Sequence, residues 1–306
     1  MSRRKIHTSF DLFSAFSYYV PGAGGILMLM VMFMLGALVG NAAMLGFKAY
    51  SSEAAETYGI LLSYPLMFIP PMLYAAYQSR KNEFFETGYI LDNNNFGRFS
   101  GISISIATIV ATLAAAFLLD FLNNIMPPMP ESLRQMLESM MDGPLWVTLL
   151  SVSVFAPVFE EWLCRGMILR GLLQKTRPVW AITISAAIFA VIHLNPWQAV
   201  PAFAFGMLFG YVYYRTGSLK LTMLMHFTNN TFSAVIGRID TFKDAESFMD
   251  VYSTGTYVTL CLLCAVMLVY FFFRIRTIGI PFGQKSGCDP VKFEDELEES
   301  ADRANR

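Results

Sequence analysis

Long unbroken apolar runs separated by short polar breaks dominate this chain. Eight of them fall at about 24–46, 57–77, 101–122, 144–173, 179–195, 197–214, 218–237 and 254–273. Each comes close to, or exceeds, the ~20 residues that a helix needs to cross a ~30 Å hydrocarbon layer. Lipid offers no partner to exposed backbone groups, so runs this apolar predict helices. The alternating polar and apolar residues of a membrane barrel strand are missing. The second run is interrupted by Pro65 and by Pro70–Pro71, and the fourth is longer than one span. Between the third and fourth, MPPMPESLRQMLESMMD (126–142) reads as an amphipathic helix lying at the outer interface. The expected fold class is all-α: a polytopic membrane bundle of about eight transmembrane helices. No internal repeat is visible.

Composition agrees with the pattern. Of 306 residues, 55% are hydrophobic and only 15% charged, and the mean hydropathy is +0.47. Soluble domains carry roughly 25% charge, so this chain cannot clothe a water-facing surface. An ordinary soluble enzyme, a disordered chain and a disulfide scaffold are excluded. The net charge of −1 gives no electrostatic basis for a nucleic-acid partner. Cys164, Cys261, Cys264 and Cys288 are too scattered for a disulfide framework.

Positive charge sets orientation in a membrane. With the N-terminus inside, the inner segments carry Arg3, Arg4 and Lys5, then Arg80, Lys81 and Arg98, then Arg165, Arg170, Lys175 and Arg177, then Arg215 and Lys220, then Arg274 and Arg276. Outer segments carry fewer, among them Arg134, Arg238 and Lys243. Both termini are therefore expected on the cytoplasmic side of a bacterial plasma membrane, since the Ala304-Asn305-Arg306 end carries no organelle-retention signal. The start MSRRKIHTSF has no small-residue cleavage site before a full-length span, and reads as an uncleaved anchor. The expected organisation is 1–143 for the first spans and the outer amphipathic segment, 144–237 for a catalytic core, 238–282 for the last span, and 283–306 for an acidic, disordered cytoplasmic tail.

Ionisable residues inside spans are costly, and by default they mark function. The fourth run holds Glu160, Glu161 and Arg165. Glu161 and Arg165 are four apart and share a helical face, so they can pair. Glu160 points about 100° away and has no partner on its own helix, which suits a general base. The alternative is that these groups snorkel at the membrane edge. His193 closes the fifth run, and the seventh holds His226 and Asn230, again four apart. A lone membrane histidine is more often a core residue bonded to a neighbouring carbonyl, and a lone asparagine is often helix–helix glue. Together, a glutamate, two histidines and an asparagine on three spans make the polar set of a hydrolytic site. One carboxylate and two imidazoles would also suit Zn²⁺, with water as fourth ligand.

Glu160-Glu161-x-x-x-Arg165, Phe189-x-x-x-His193 and His226-x-x-x-Asn230, in that order on separate helices, resemble the CPBP family of intramembrane proteases. That family includes CAAX prenyl endopeptidases and bacterial bacteriocin-processing and immunity proteins. The resemblance covers about 144–237. It implies helices around a conical cavity in which a peptide bond of a membrane-associated protein or peptide is hydrolysed. Glu160 would activate water with help from His193, while His226 and Asn230 would hold the oxyanion. Glu161 and Arg165 would support the site through their pair, with Phe189 packed beside it. If a metal binds, Glu160, His193 and His226 would be its ligands. At ~1.5 Å per helical residue, Glu160 and His226 fall at similar depth in the inner half of the bilayer, with His193 deeper.

Two other readings keep the same residues: a catalytically silent, immunity-type membrane binding protein, and a proton-coupled transporter using Glu160, His193 and His226 as a relay. The Cys261–Cys264 pair reads as packing or lipid-facing. Gly206 and Gly210 read as a close helix contact inside the bundle. Trp180 and Trp197 read as interface anchors.

Overall fold

The computed structural model describes residues 13–82, 91–92, 95–141, 143–243, 245 and 247–279. The basic start with His7, the residues Asn93–Asn94, Cys288 and the acidic tail lie outside the described residues, as does the reading of that tail as disordered.

All eight apolar runs are helical. They form α1 (Ala23–Tyr50), α2 (Ser52–Asn82), α3 (Gly101–Leu119), α5 (Leu145–Leu173), α6 (Pro178–Val191), α7 (Pro196–Thr216), α8 (Leu219–Ile236) and α9 (Thr254–Ile275), and the amphipathic α4 (Glu131–Met141) lies between α3 and α5. Among the described residues, α1, α2, α3, α5 and α9 are long and apolar enough to cross a membrane, while α6 is apolar but has only 14 residues. The helices α7 and α8 are diluted by polar groups, among them Arg215 in one and Lys220, His226, Asn229 and Asn230 in the other. The chain is an integral membrane protein with an all-α bundle.

Two expectations about individual helices need correction. Pro65, Pro70 and Pro71 do not interrupt α2, which runs on through all three. A membrane helix tolerates the missing N–H donors because neighbouring groups re-satisfy the freed carbonyls. The fifth run was expected to extend to about 195, with His193 inside it, but α6 stops at Val191. Asn195 caps the next helix, its Oδ1 accepting from Gln198 N at 2.9 Å, and Pro196 opens it. The chain must therefore turn over 192–195. His193 sits in that turn, before Leu194, whose φ of 57° is left-handed.

The connections follow from their residues. Only Ser51 separates α1 from α2. These two helices pack backbone to backbone, because Gly36 presents no Cβ where one would lie 2.0 Å from the Met67 carbonyl oxygen. Gly217, at φ 66°, ends α7 in the left-handed conformation that glycine adopts without strain, and the Ser218 hydroxyl accepts from Leu221 N to start α8. Gly206 and Gly210 of α7 lie against Ala186 and Ile182 of α6, the close contact expected of that pair. Cys261 and Cys264 are free, half-buried thiols on α9. Trp180 is exposed at the start of α6, and Trp197 donates from Nε1 to the Pro127 carbonyl at 2.8 Å.

The helix α5 is the centre of the bundle. Its turns widen to π geometry over Leu149–Phe155 and Trp162–Leu169, on either side of the α-helical stretch Ala156–Glu161. Single π turns inside α-helices frequently accompany functional sites. Here carbonyls of both wide segments accept bonds from other helices: Val152 from Asn230 Nδ2 at 2.8 Å, and Cys164 from Ser185 Oγ at 2.8 Å. Trp162, Leu163, Met167 and Ile168 are fully buried, and they pack with Phe13, Phe16 and Tyr19 from the segment preceding α1. Arg170, itself buried, donates to the Phe16 and Tyr19 carbonyls and fastens that segment to α5.

Candidate active site

Glu160 and Glu161 close the α-helical stretch of α5 and face different neighbours. Glu161 is fully buried and accepts from Arg165 Nη1 at 2.7 Å, the pair expected from their spacing. Arg165, also fully buried, donates from Nη2 to the Gly206 carbonyl of α7 at 3.2 Å. Its guanidinium lies 4.6 Å from the centre of the Phe189 ring and 5.5 Å from that of Phe209. A buried charge is tolerable only when paired and bonded, and Arg165 has both kinds of partner.

His226 of α8 joins the two glutamates. Its Nδ1 lies 3.1 Å from Glu161 Oε1, and its Nε2 lies 3.8 Å from Glu160 Oε2. With a carboxylate as the partner, Nδ1 is the donor, which leaves the Nε2 lone pair facing Glu160. Phe189 meets the imidazole edge-on at 5.5 Å and Phe209 lies against it at 5.8 Å, so the ring is held from two sides.

Glu160 is nine-tenths buried and has a split environment. Its Oε1 accepts a hydrogen bond from the Tyr64 hydroxyl of α2, while Oε2 has no hydrogen-bond partner among the described residues. Tyr64 was not among the residues singled out from the sequence. Its helix carries four tyrosines, Tyr58, Tyr64, Tyr74 and Tyr77, and only its mid-span position sets Tyr64 apart, where a phenol needs a partner when buried.

The other two candidates stand further out. His193 is half-buried, and its Nδ1 bonds the Phe189 carbonyl at 2.8 Å, one turn back along the chain. It makes no ion pair with either glutamate. Asn230 donates from Nδ2 to the Val152 carbonyl, and its Oδ1 accepts from Asn229 Nδ2 at 3.2 Å, which fixes the orientation of its amide and leaves one Nδ2 hydrogen uncommitted. Glu160, Glu161, Arg165, Phe189 and His226 thus form one contact network, with His193 and Asn230 on its flanks.

This geometry bears on zinc. A catalytic zinc site needs three protein ligands converging on one point. Glu160 and His226 approach each other, but His193 does not reach them. Among the described residues, no group of three or more His, Cys, Asp or Glu side chains could hold a metal ion. As arranged, the set does not fit zinc.

Comparison with known proteins agrees with the resemblance read from the motifs. Residues 142–232 match the family model described as Type II CAAX prenyl endopeptidase Rce1-like, a segment that contains Glu160, Glu161, Arg165, Phe189, His193, His226 and Asn230. Over 84 residues the chain is 30% identical to "Putative membrane peptidase YdiL" of Bacillus subtilis (strain 168), which is 28% of this chain and 34% of that protein. The chain thus matches about a third of the length of that curated relative. No solved structure matches.

Proposed function

With residues 142–232 carrying a CPBP-family segment of the Rce1-like type, we propose that this protein is an intramembrane endopeptidase. It hydrolyses a peptide bond of a membrane-associated protein or peptide by water activated on Glu160. The observation that carries this reading is the buried, unpartnered Oε2 of Glu160 facing His226 Nε2 at 3.8 Å. That gap is too wide for a direct hydrogen bond and suits two acceptors sharing one water.

One hydrogen of the attacking water points to Glu160 Oε2 and the other to His226 Nε2, which leaves an oxygen lone pair for the scissile carbonyl carbon. Glu160 takes the proton as the carbon–oxygen bond forms. The carbonyl oxygen becomes an oxyanion, which the uncommitted Nδ2 hydrogen of Asn230 would meet. The proton then passes to the amine nitrogen as the carbon–nitrogen bond breaks. His193 stands outside direct contact with Glu160 and would assist that transfer through a bridging water at Nε2, its Nδ1 being held by the Phe189 carbonyl. Glu161 and Arg165 act through His226, fixing its tautomer. Positive charge at the ends bearing Arg80, Arg170 and Arg215 favours an orientation with those ends and both termini on the cytoplasmic side.

The test is cleavage of a membrane-anchored peptide library by the purified protein in proteoliposomes, with products read by mass spectrometry. The reading expects products from the wild type and none from Glu160→Ala or His226→Ala. Equal products from all three would defeat it.

A further inference from the structure

We infer that Tyr64 of α2 is a positioning residue of the active site, and that it selects which oxygen of Glu160 receives the proton. The inference rests on the proposal that Glu160 activates water. It also brings a helix outside the family-matched segment 142–232 into the working site.

A carboxylate has two equivalent oxygens, and rotation about its last torsion exchanges them freely. In this protein they are not equivalent. Tyr64 donates its hydroxyl to Oε1, and Oε2 is left unpartnered toward His226. The bond therefore fixes the torsion and reserves Oε2.

The phenol is itself rigidly placed. Its ring lies 5.6 Å from Phe68 on the same helix, and Phe68 stacks at 5.2 Å and 15° on Phe159, the residue preceding Glu160. This aromatic column ties α2 to α5 at the level of the site. Depth agrees: Tyr64 is 12 residues into α2 and Glu160 is 15 residues into α5, or ~18 and ~22 Å along their helices at ~1.5 Å per residue. A tyrosine with two side-chain torsions delivers one hydroxyl at little entropic cost, and a hydrogen bond to a charged acceptor is the stronger kind.

The role is one of position. A water bound at Oε2 meets an oxygen whose lone pairs are fixed relative to His226. Without the phenol, the carboxylate can turn, and the fraction of molecules in the reactive arrangement falls.

The test uses Tyr64→Phe, which removes the hydroxyl and keeps the aromatic column, in full-length protein in proteoliposomes. The first readout is independent of activity. The infrared difference between wild type and Glu160→Gln isolates the Glu160 carboxylate band, and in Tyr64→Phe that band should move. A band that stays in place overturns the inference, whether or not the protein is an enzyme. The second readout is kinetic, on the peptide that the library identifies. The kcat should fall about ten-fold or more, as for a lost bond to a charged group, with KM within about two-fold. A moved band with unchanged kcat would overturn the positioning role. If the wild type cleaves nothing, it is the peptidase reading that fails, and the infrared result still decides whether Tyr64 holds Glu160.

Discussion

His226 Nδ1 lies 3.1 Å from Glu161 Oε1 while its Nε2 lies 3.8 Å from Glu160 Oε2, so one imidazole is held between two adjacent glutamates. The glutamates are neighbours in sequence but differ in partners. Glu161 is closed off by Arg165 and His226, and it orients. Glu160 keeps one oxygen open, the arrangement expected of a group that must accept a proton.

Arg165 should be needed for folding more than for chemistry. Replacing it with methionine leaves Glu161 buried without its cation, and breaking a buried pair from one side costs about 3–5 kcal/mol. In a chain of this size that lowers the melting temperature by roughly 10 °C. The double variant Glu161→Gln/Arg165→Met should recover part of the loss. Thermal unfolding in detergent checks both, and an Arg165→Met protein as stable as wild type would show that the pair contributes nothing.

Metal removal should leave activity intact. Glu160 and His226 approach each other, but His193, in the turn after α6, is bonded back to the Phe189 carbonyl and adds no third ligand. Dialysis against a zinc chelator, followed by metal analysis and the cleavage assay, is expected to give unchanged rates. Activity lost with zinc and regained on adding it back would require His193 to swing into the site.

Gly206 should tolerate nothing larger. A Cβ there would sit 2.9 Å from Ala186 Cβ and 3.0 Å from its Cα, both on α6, and the same residue's carbonyl accepts from Arg165. Gly206→Ala forces the two helices apart and should cost about 1–3 kcal/mol. Gly46, inside α1, is the control: a Cβ added there would meet nothing within 4 Å, so Gly46→Ala should leave the melting temperature unchanged or raise it slightly through helix propensity. Thermal unfolding of the two variants side by side checks the contrast.

The sequence was informative where interactions are local. The apolar runs marked every long helix, and four-residue spacing alone brought Glu161 to Arg165. Helix ends were harder to read. His193 looked like part of an apolar run, and only the cap at Asn195 with Pro196 ends α6 before it. The prolines of α2 looked like breaks, yet the helix passes through them, since a bundle can satisfy the carbonyls that an isolated peptide could not. The role of Tyr64, one of four tyrosines on α2, was not legible. This residue meets Glu160 across 96 positions, and no periodicity links residues on separate helices. The same holds for Phe209, which reaches His226 only because α7 packs beside α8.

The central claim is that Glu160 takes the proton from the attacking water. Single-turnover cleavage in proteoliposomes by wild type and Glu160→Gln tests it most directly, because the amide keeps the size of the side chain and removes the base. With matched melting temperatures, the variant should be slower by roughly 10²–10⁴-fold, the usual worth of a general base. Cleavage by Glu160→Gln at the wild-type rate would contradict the claim.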